Sequence, residues 1–350
     1  MKLLIVGDFE IGMLGHSYLS AFQKLGHKVE IFDINKNKIN LEWAGQNRFL
    51  HRMTIKSMYL RNIWAERFNS ELIKHATQAH VQWVFLLNGT WIMPETISTL
   101  KHGGIRVAIF HADNPFPPNY NNRPETIPSA LEADLYLIWS KVLVSKLSQI
   151  GVKNVQFLPF GWDEEVHPYQ GGLPQGQGWK GAIFIGSWDP EREVFLEKIS
   201  AHIPLKIYGS EYWGSRTQRN SRARGCWTGK ALKLSEAARA LRESSIALNI
   251  LRTQHVIDQR PDGVIMRHFE VPGSGGFLLS TRGGTATEIF KESEAGAYFS
   301  GYEECIAKCN YYLENEDERL MIVKQAHDLV VESYTYLDCA TMVANYMNQC

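Results

Sequence analysis

The 350-residue chain has few cysteines, and it lacks the long apolar run of a membrane-spanning helix. Its five cysteines form no Cys-x-x-Cys pair, so we expect neither a disulfide framework nor a structural zinc site. Apolar runs such as residues 81–87 are far shorter than the roughly 20 residues that span a bilayer. The N-terminus reaches Gly7-Asp8 too early for a signal-peptide core. The sequence therefore predicts a cytoplasmic protein without a transmembrane segment.

Net charge is also lacking, because 37 Lys and Arg balance 37 Asp and Glu. This balance gives no overall field that would attract nucleic acid or an anionic membrane, although a local basic patch still leaves nucleic acid open as a substrate. A length of 350 residues with 44% hydrophobic residues is typical of a well-packed protein of about two domains.

Several motifs with a known chemistry are absent. There is no Asp-x-Asp pair to hold a metal, no Gly-x-Ser-x-Gly elbow and no Walker A loop. The first glycine-rich turn carries Gly7, Gly12 and Gly15, whose spacing of x4 and x2 misses the x1 and x2 of the dinucleotide fingerprint. We therefore expect neither a metal ion nor a bound cofactor.

The chain instead shows a regular alternation of β-rich runs and amphipathic helical patterns. Six such runs precede a Gly-, Pro- and Gln-rich stretch at residues 171–178, and five follow it. This alternation predicts an α/β fold with two Rossmann-like domains, residues 1–163 and 164–335, each built on a parallel sheet. Open α/β sheets bind ligands beyond the carboxyl ends of their strands, so the site is expected in a cleft between the two domains.

In the first domain, polar residues follow two predicted strands. Gly12 and His16 lie in and after the first turn, where glycine admits a ligand to the backbone. His111 and Asp113 follow the strand at residues 106–110, and this pair suits sugar binding or proton transfer. The alternative is a fixed turn in which Asp113 bonds its own backbone.

The densest polar stretch lies in the second domain. It contains Asn249, Arg252, Asp262, Gly263, Arg267 and Glu270. We predict a short helix beginning near residues 261–263, whose N–H groups bind a phosphate that Arg252 or Arg267 neutralises. Glu270 can accept two hydrogen bonds from a ribose diol. The alternative is that Glu270 pairs with Arg267 one turn back.

This stretch resembles a known family. Arg267-x-Phe269-Glu270, followed by Gly275-Gly276-Phe-Leu-Leu, is similar to the C-terminal domain of CgeB-like (spore-maturation-type) glycosyltransferases, which are related to the retaining group 1 enzymes of the GT-B fold. Asp262 and Glu270 resemble the Glu-x7-Glu element of that group, with Asp in the first place.

The resemblance implies roles for single residues. Asp262 would contact the donor sugar, Glu270 the ribose, and the Gly263 turn the diphosphate. The stretch from Gly186 to Arg192 is similar to the start of the family's second domain, and Arg192 would bind the diphosphate. A C-terminal helix, residues 336–350, would pack back on the first domain.

Together these observations predict a metal-independent glycosyltransferase that moves a sugar from a nucleotide diphosphate sugar to a hydroxyl-bearing acceptor, and the resemblance implies that it is retaining. Its catalytic candidates are His111, Asp113 and Asp262, and Gly12, His16 and His111 are candidates for acceptor binding. The donor base and the acceptor stay open, and acceptors range from small metabolites to glycans, lipids, proteins and modified DNA. A nucleotide-sugar epimerase or hydrolase and a non-catalytic nucleotide-sugar-binding protein are the alternatives.

Overall fold

The structure is a computed structural model that describes residues 1–36, 58–117, 122–169 and 178–350, with the backbone alone for residues 58–64. The chain forms two compact units. The first comprises Met1–Ile138, Leu143–Leu158 and Ala340–Cys350, and the second comprises Trp139–Val142 and Pro159–Cys339. The last residues of the chain thus belong to the first unit.

The first unit contains a six-stranded parallel sheet in the order β2-β1-β3-β4-β5-β6. Its strands are β1 (Lys2–Gly7), β2 (Lys28–Asp33), β3 (Trp83–Leu87), β4 (Arg106–His111), β5 (Leu135–Ile138) and β6 (Val155–Phe157). The inner strands are apolar on both faces, and Leu4, Val84 and Ala108 have no exposed surface. Such runs form when helices cover both faces of a parallel sheet.

The helices of the first half follow its strands. They are α1 (Leu14–Lys24), α2 (Met58–Gln78), α3 (Pro94–His102), α4 (Thr126–Glu132) and α5 (Lys141–Gln149). The sequence pattern predicts all of these except α4. That helix is only seven residues long, and Pro128 in its first turn interrupts the apolar period that would have revealed it.

The second unit contains a five-stranded parallel sheet in the order β13-β12-β9-β7-β8 and a two-stranded hairpin, β10-β11. The strands are β7 (Trp179–Ile185), β8 (Leu205–Tyr208), β9 (Ser244–Asn249), β10 (Val256–Ile257), β11 (Arg260–Pro261), β12 (Leu278–Thr281) and β13 (Ala297–Phe299). The helices are α6 (Pro190–Ile199), α7 (Tyr212–Ser215), α8 (Arg222–Cys226), α9 (Leu234–Glu243), α10 (Arg267–Gly273), α11 (Gly284–Ile289), α12 (Tyr302–Glu314) and α13 (Glu316–Ser333). The last helix, α14 (Tyr336–Gln349), begins in this unit and ends in the segment that belongs to the first unit. None of the helices described is both long and apolar enough to cross a membrane.

Each sheet reverses its strand order at one point. In the second sheet, β7 pairs with β8 on one side and with β9 on the other, so the chain crosses over after β8. In the first sheet, β1 pairs with β2 and β3 in the same way. Ligands of open α/β sheets bind where the strand order reverses. The carboxyl ends of β7 and β9 therefore mark the expected site of the second unit.

The α/β prediction with two parallel sheets is confirmed, and every strand predicted from the sequence corresponds to an observed one. The helix predicted to begin near residues 261–263 is wrong. Arg260–Pro261 instead pairs with Val256–Ile257 across a turn in which Asp258 and Gln259 have φ of 50° and 64°. Gly263 has a φ of 92°, which a right-handed helix excludes, and α10 begins only at Arg267.

Candidate functional site

Two arginines lie at the switch point of the second sheet, which is the point between β7 and β9 where the strand order reverses. Arg192, in the first turn of α6, donates from Nε and Nη2 to the main-chain oxygen of Ile250, at 3.1 and 2.7 Å. Arg267, the first residue of α10, donates from Nη2 to the main-chain oxygen of Ile185 at 3.3 Å. Ile185 ends β7 and Ile250 follows β9, so both guanidinium groups are held at the carboxyl ends of the strands that flank the reversal.

These arginines form a site of positive charge. The side chain of Arg192 is buried and bonds to a carbonyl group rather than to a carboxylate. Burial, and then the nearby charge of Arg252, lower the pKa of Arg192 to about 10; Asp189 opposes this shift, and Arg267 adds a smaller lowering effect. Arg192 therefore stays protonated at neutral pH although two like charges lie near it. Such a cluster attracts an anion.

Arg252 adds a donor to this cluster. Its Nε atom is buried and has no hydrogen-bond partner in the part of the chain that the structure describes. Buried donors are almost always paired in folded proteins, so an unpaired guanidinium nitrogen next to a positive cluster points to a ligand or an ordered water. The main-chain N–H of Arg252 donates to Nδ1 of His255 at 3.2 Å, which fixes the turn that carries the side chain.

Gly186 packs against the Phe184 ring. A Cβ atom at this position would lie 2.9 Å from Cζ of Phe184, which is too close without a shift, and 3.5 Å from Nη1 of Arg192, which is an ordinary contact. The N–H and C=O of Gly186 are both bonded within the chain, to Tyr208 and Trp213. The Phe184 ring therefore favours glycine here, and the predicted donor contact of Gly186 stays a prediction.

Arg267 and Glu270 form an ion pair, with Nη1 and Oε2 2.9 Å apart. This is the alternative that the sequence left open. The pairing does not use up the carboxylate, because its two oxygens can together accept about four hydrogen bonds. The imidazole of His167 lies close enough for Glu270 and Arg267 to affect its pKa, which burial lowers. Sequence reasoning missed His167 because it lies in an irregular segment without a periodic pattern.

Asp262 is an internal anchor. It is 4% exposed, and its carboxylate accepts hydrogen bonds from the Ser140 hydroxyl and from the Thr285 main-chain N–H and hydroxyl. Both oxygens are therefore bonded within the chain, which holds the loop to the start of α11. This geometry gives no support to the implied contact between Asp262 and a donor sugar.

Packing against Trp139 explains why residue 263 is a glycine. A Cβ atom there would lie 1.8 Å from Cζ3 of Trp139, and the backbone is left-handed. Asn249 is similarly enclosed, being 4% exposed with its Nδ2 donating to Oγ of Ser280 at 2.9 Å. Both residues are buried, and their predicted contacts with a ligand stay predictions.

In the first unit, His111 is 1% exposed and both of its ring nitrogens are engaged. Nδ1 lies 2.9 Å from the main-chain oxygen of Asn88, and Nε2 lies 2.9 Å from Oδ1 of Asn122. The Asn122 amide nitrogen donates to the carbonyl groups of Asn114 and Pro117, which fixes Oδ1 toward the ring. A general base needs a free ring nitrogen, so this geometry disfavours the predicted catalytic role of His111.

Gly12, His16 and Asp113 lie at the carboxyl edge of the first sheet, where the sequence places them. Gly12, with a φ of 92°, is in the turn between β1 and α1, and His16 is the third residue of α1. Asp113 is half-buried two residues after β4. Their predicted roles toward an acceptor stay predictions.

A strained loop after β3 was missed by sequence reasoning. Asn88 and Trp91 have φ of 67° and 73°, in the left-handed region that non-glycine residues rarely adopt. The Arg123 guanidinium stacks on the Trp91 ring at 3.4 Å. Strain of this kind concentrates at functional sites, and this loop lies beside the switch point of the first sheet. Only the Asn88-Gly89 dipeptide hinted at a tight turn.

No three His, Cys, Asp or Glu side chains come together as a possible metal site in the ranges that the structure describes. Residues 192–344 match the glycosyl transferase-like family. The matched segment contains Arg192, Arg252, Arg267 and Glu270, and it contains none of the candidates from the first unit.

Solved structures share the fold over the whole chain. Sucrose-phosphate synthase from Thermosynechococcus elongatus aligns with a TM-score of 0.69 at 11% identity, covering 100% of this chain and 98% of its own. HepE of Anabaena, solved with UDP and with UDP-glucose, aligns with 0.64 at 11% identity, covering 100% of both chains. A glycosyltransferase from Rickettsia africae aligns with 0.65 at 12% identity, covering 99% and 98%.

At this identity the likeness establishes the fold, which is GT-B. No curated protein matches the chain in sequence. The family match and the shared fold are both likenesses to glycosyltransferases, and membership of group 1 stays a prediction. The CgeB-like subtype stays a prediction.

Proposed function

We propose that this chain is a glycosyltransferase that transfers a sugar from a nucleotide diphosphate sugar to a hydroxyl group of an acceptor. The observation that carries the proposal is the cluster of Arg192, Arg252 and Arg267 at the β7/β9 switch point, inside the segment that matches the family. A diphosphate is the part of such a donor that three guanidinium groups fit best, because its oxygens accept paired hydrogen bonds.

The donor in this proposal is a UDP-sugar. HepE of Anabaena, which has the same fold, was solved with UDP and with UDP-glucose. In this chain the arginines would bind the diphosphate, and Glu270, held by Arg267, would accept hydrogen bonds from the ribose hydroxyls.

The transfer is proposed to proceed without a metal ion and with retention of configuration. Bond cleavage leaves negative charge on the departing diphosphate, and fixed cations that face this charge lower the barrier. Arg192 is suited to this task because two bonds to Ile250 already fix its guanidinium. Retention is proposed from the resemblance to the retaining group 1 enzymes.

The two domains divide the substrates in this proposal. Residues 164–335 bind the donor, and residues 1–163 bind the acceptor through the loops that carry Gly12, His16 and Asp113. In this proposal His111, bonded to Asn88 and Asn122, holds the loop after β4, and Asp262 holds its own loop to the start of α11.

A nucleotide-sugar panel tests the proposal. The full chain is incubated with UDP-, GDP- and dTDP-sugars in the presence of hydroxyl-bearing acceptors, and products are identified by mass spectrometry. A glycosylated acceptor with released UDP supports it. Epimerised or free sugar formed without acceptor would favour an epimerase or a hydrolase, and UDP binding without any turnover would favour a non-catalytic binding protein.

A further inference from the structure

His268 lies between the two residues of the proposed donor site, immediately after Arg267 and two residues before Glu270. It is 1% exposed and belongs to the first turn of α10. Its side chain makes no contact that the proposed reaction itself uses, yet both ring nitrogens are bonded. Buried polar side chains are normally hydrogen-bonded, and the bonds of His268 reach residues of separate segments.

The hydrogen bonds around His268 favour one tautomer. Nδ1 lies 3.2 Å from the main-chain nitrogen of Ile265 and 3.3 Å from its main-chain oxygen. Because that oxygen already accepts from the main-chain N–H of His268 at 2.9 Å, we assign Nδ1 as the acceptor of the Ile265 N–H, without a proton of its own. The proton is then on Nε2, which lies 3.1 Å from Oγ of Ser280. Ser280 Oγ also accepts from Nδ2 of Asn249 at 2.9 Å and donates to the main-chain oxygen of Thr281 at 3.1 Å.

Every member of this network is satisfied by the neutral Nε2–H tautomer. The Ser280 hydroxyl accepts two bonds and donates one, which is the full capacity of a hydroxyl group. Burial lowers the pKa of His268 to about 4, so the ring stays neutral at pH 7. Fully satisfied buried networks of this kind fix a single arrangement of the segments that they join.

The network connects three segments of the second unit. Asn249 ends β9, Ser280 lies in β12, and Ile265 belongs to the irregular loop that follows Gly263. The loop lacks regular backbone hydrogen bonds before α10 begins, so the histidine side chain supplies the bond that a preceding helical turn would otherwise supply. The direction in which α10 leaves this loop decides where Arg267 and Glu270 lie.

We propose that His268 is a positioning residue that, as the Nε2–H tautomer, ties the start of α10 to β9 and β12 and thereby sets Arg267 and Glu270 for the diphosphate and the ribose. Its effect on ligand binding rests on the proposed function, whereas its tautomer and its bonds do not.

The tautomer is tested by side-chain ¹⁵N NMR of the histidine-labelled full chain at neutral pH. The signal that disappears in His268→Asn is expected to show an unprotonated Nδ1 and a protonated Nε2. A protonated Nδ1, or a doubly protonated ring, would overturn the inference whether or not the protein binds a nucleotide.

The positioning role is tested by the affinity for UDP of two variants that each keep one of the two bonds. Asn at this position can place an oxygen near the site of Nδ1 and keep the cap on Ile265, whereas Gln can reach Ser280 and loses the cap. We expect His268→Gln to bind UDP about fivefold to tenfold more weakly than wild type, and His268→Asn to recover a large part of this loss. His202→Asn, an exposed histidine of the same unit, is the control and should bind like wild type.

Ser280→Ala provides a second route should His268→Gln fail to fold. It removes the acceptor of the Nε2–H bond and is expected to weaken UDP binding in the same direction. Thermal unfolding of each variant separates a general loss of stability from a change in the site. Equal UDP affinity in all folded variants would overturn the positioning role. A wild-type protein that binds no UDP would contradict the proposed function, and the NMR measurement would still decide the tautomer.

Discussion

Arg267 joins two parts of the second unit through one guanidinium group: Nη1 lies 2.9 Å from Oε2 of Glu270, and Nη2 lies 3.3 Å from the main-chain oxygen of Ile185. The ion pair is therefore anchored to the end of β7 and is not a free surface contact. Because the strand order reverses beside β7, the carboxylate of Glu270 is held at the edge where open α/β sheets bind ligands.

Comparing UDP with 2′-deoxy-UDP separates the proposed role of Glu270 in ribose binding from its ion pair with Arg267. If the carboxylate accepts bonds from both ribose hydroxyls, wild type should bind UDP about tenfold more tightly than 2′-deoxy-UDP, and Glu270→Gln should lose most of this preference. Calorimetry with both ligands measures it. Glu316→Gln is the matched control, because Glu316 pairs with Arg319 at 2.9 Å in the same helical spacing. An unchanged preference in Glu270→Gln would remove Glu270 from ribose binding.

Asp262 should behave as an anchor and not as a sugar contact. Asp262→Asn replaces an acceptor of the Thr285 N–H and the Ser140 hydroxyl, so we expect the free energy of unfolding to fall by about 1–3 kcal/mol. The ratio of the affinities for UDP-glucose and UDP should stay unchanged. Ser140→Ala should lower stability in the same direction. A selective loss of UDP-glucose binding in Asp262→Asn would restore the sugar contact that the resemblance implies.

Gly263 and Gly229 separate the cost of a left-handed backbone from the cost of a clash. Both have a positive φ, 92° and 82°, but a Cβ atom at Gly229 would meet nothing within 4 Å. Gly229→Ala should therefore cost about 1 kcal/mol of stability. Gly263→Ala also forces a methyl group into the Trp139 ring and should cost about 3 kcal/mol or more. Urea unfolding measures both, and equal losses would show that the Trp139 contact does not decide the residue at 263.

The low pKa values of two buried histidines lead us to expect a loss of stability in mild acid. Burial and then the charge of Arg192 lower the pKa of His255 to about 3, and burial lowers that of His268 to about 4. Both values lie below the roughly 6.5 of an unfolded histidine, so the unfolded state binds more protons between these limits and stability falls as the pH falls. The slope is at most about 1.4 kcal/mol per pH unit for each histidine.

Urea unfolding at about pH 7 and about pH 5 measures this loss, since most carboxylates still stay ionised in that window. His268→Asn removes one of the titrating groups and should show a smaller loss between the two pH values than wild type does. Stability that is the same at both pH values would contradict the assignment of neutral, buried histidines.

The strands of both sheets could be predicted from the sequence, because the periods of strands and helices are local signals. The strands of both units stand as continuous apolar runs, and the glycine-rich stretch between them marks a change of pattern. The hairpin around Asp258 and Gln259 was not predictable in the same way, since neither residue is the glycine that its left-handed turn favours. The error in the start of α10 followed from it.

The site was predicted in outline, and its details depended on contacts between distant segments. Arg192 and Arg267 could be named as cations, but their anchors on Ile250 and Ile185 are 58 and 82 residues away in sequence. In the same way, the bond from Ser140 to Asp262 spans 122 residues and turns a candidate sugar contact into an internal anchor. No local pattern reports such pairs. The sequence could therefore name the charged candidates, and their roles stay predictions.

The diphosphate site at the β7/β9 switch point is tested by the affinity for UDP of wild type and of Arg252→Gln. Arg239→Gln, on the exposed face of α9, is the control. Arg252 is suited to it because its side chain is only half-buried and its Nε donor is unpaired in the described part of the chain. We predict that wild type and Arg239→Gln bind UDP alike and that Arg252→Gln binds it at least about tenfold more weakly. Absence of UDP binding by the wild-type chain, or equal affinity in all three proteins, would contradict a diphosphate site at the β7/β9 switch point.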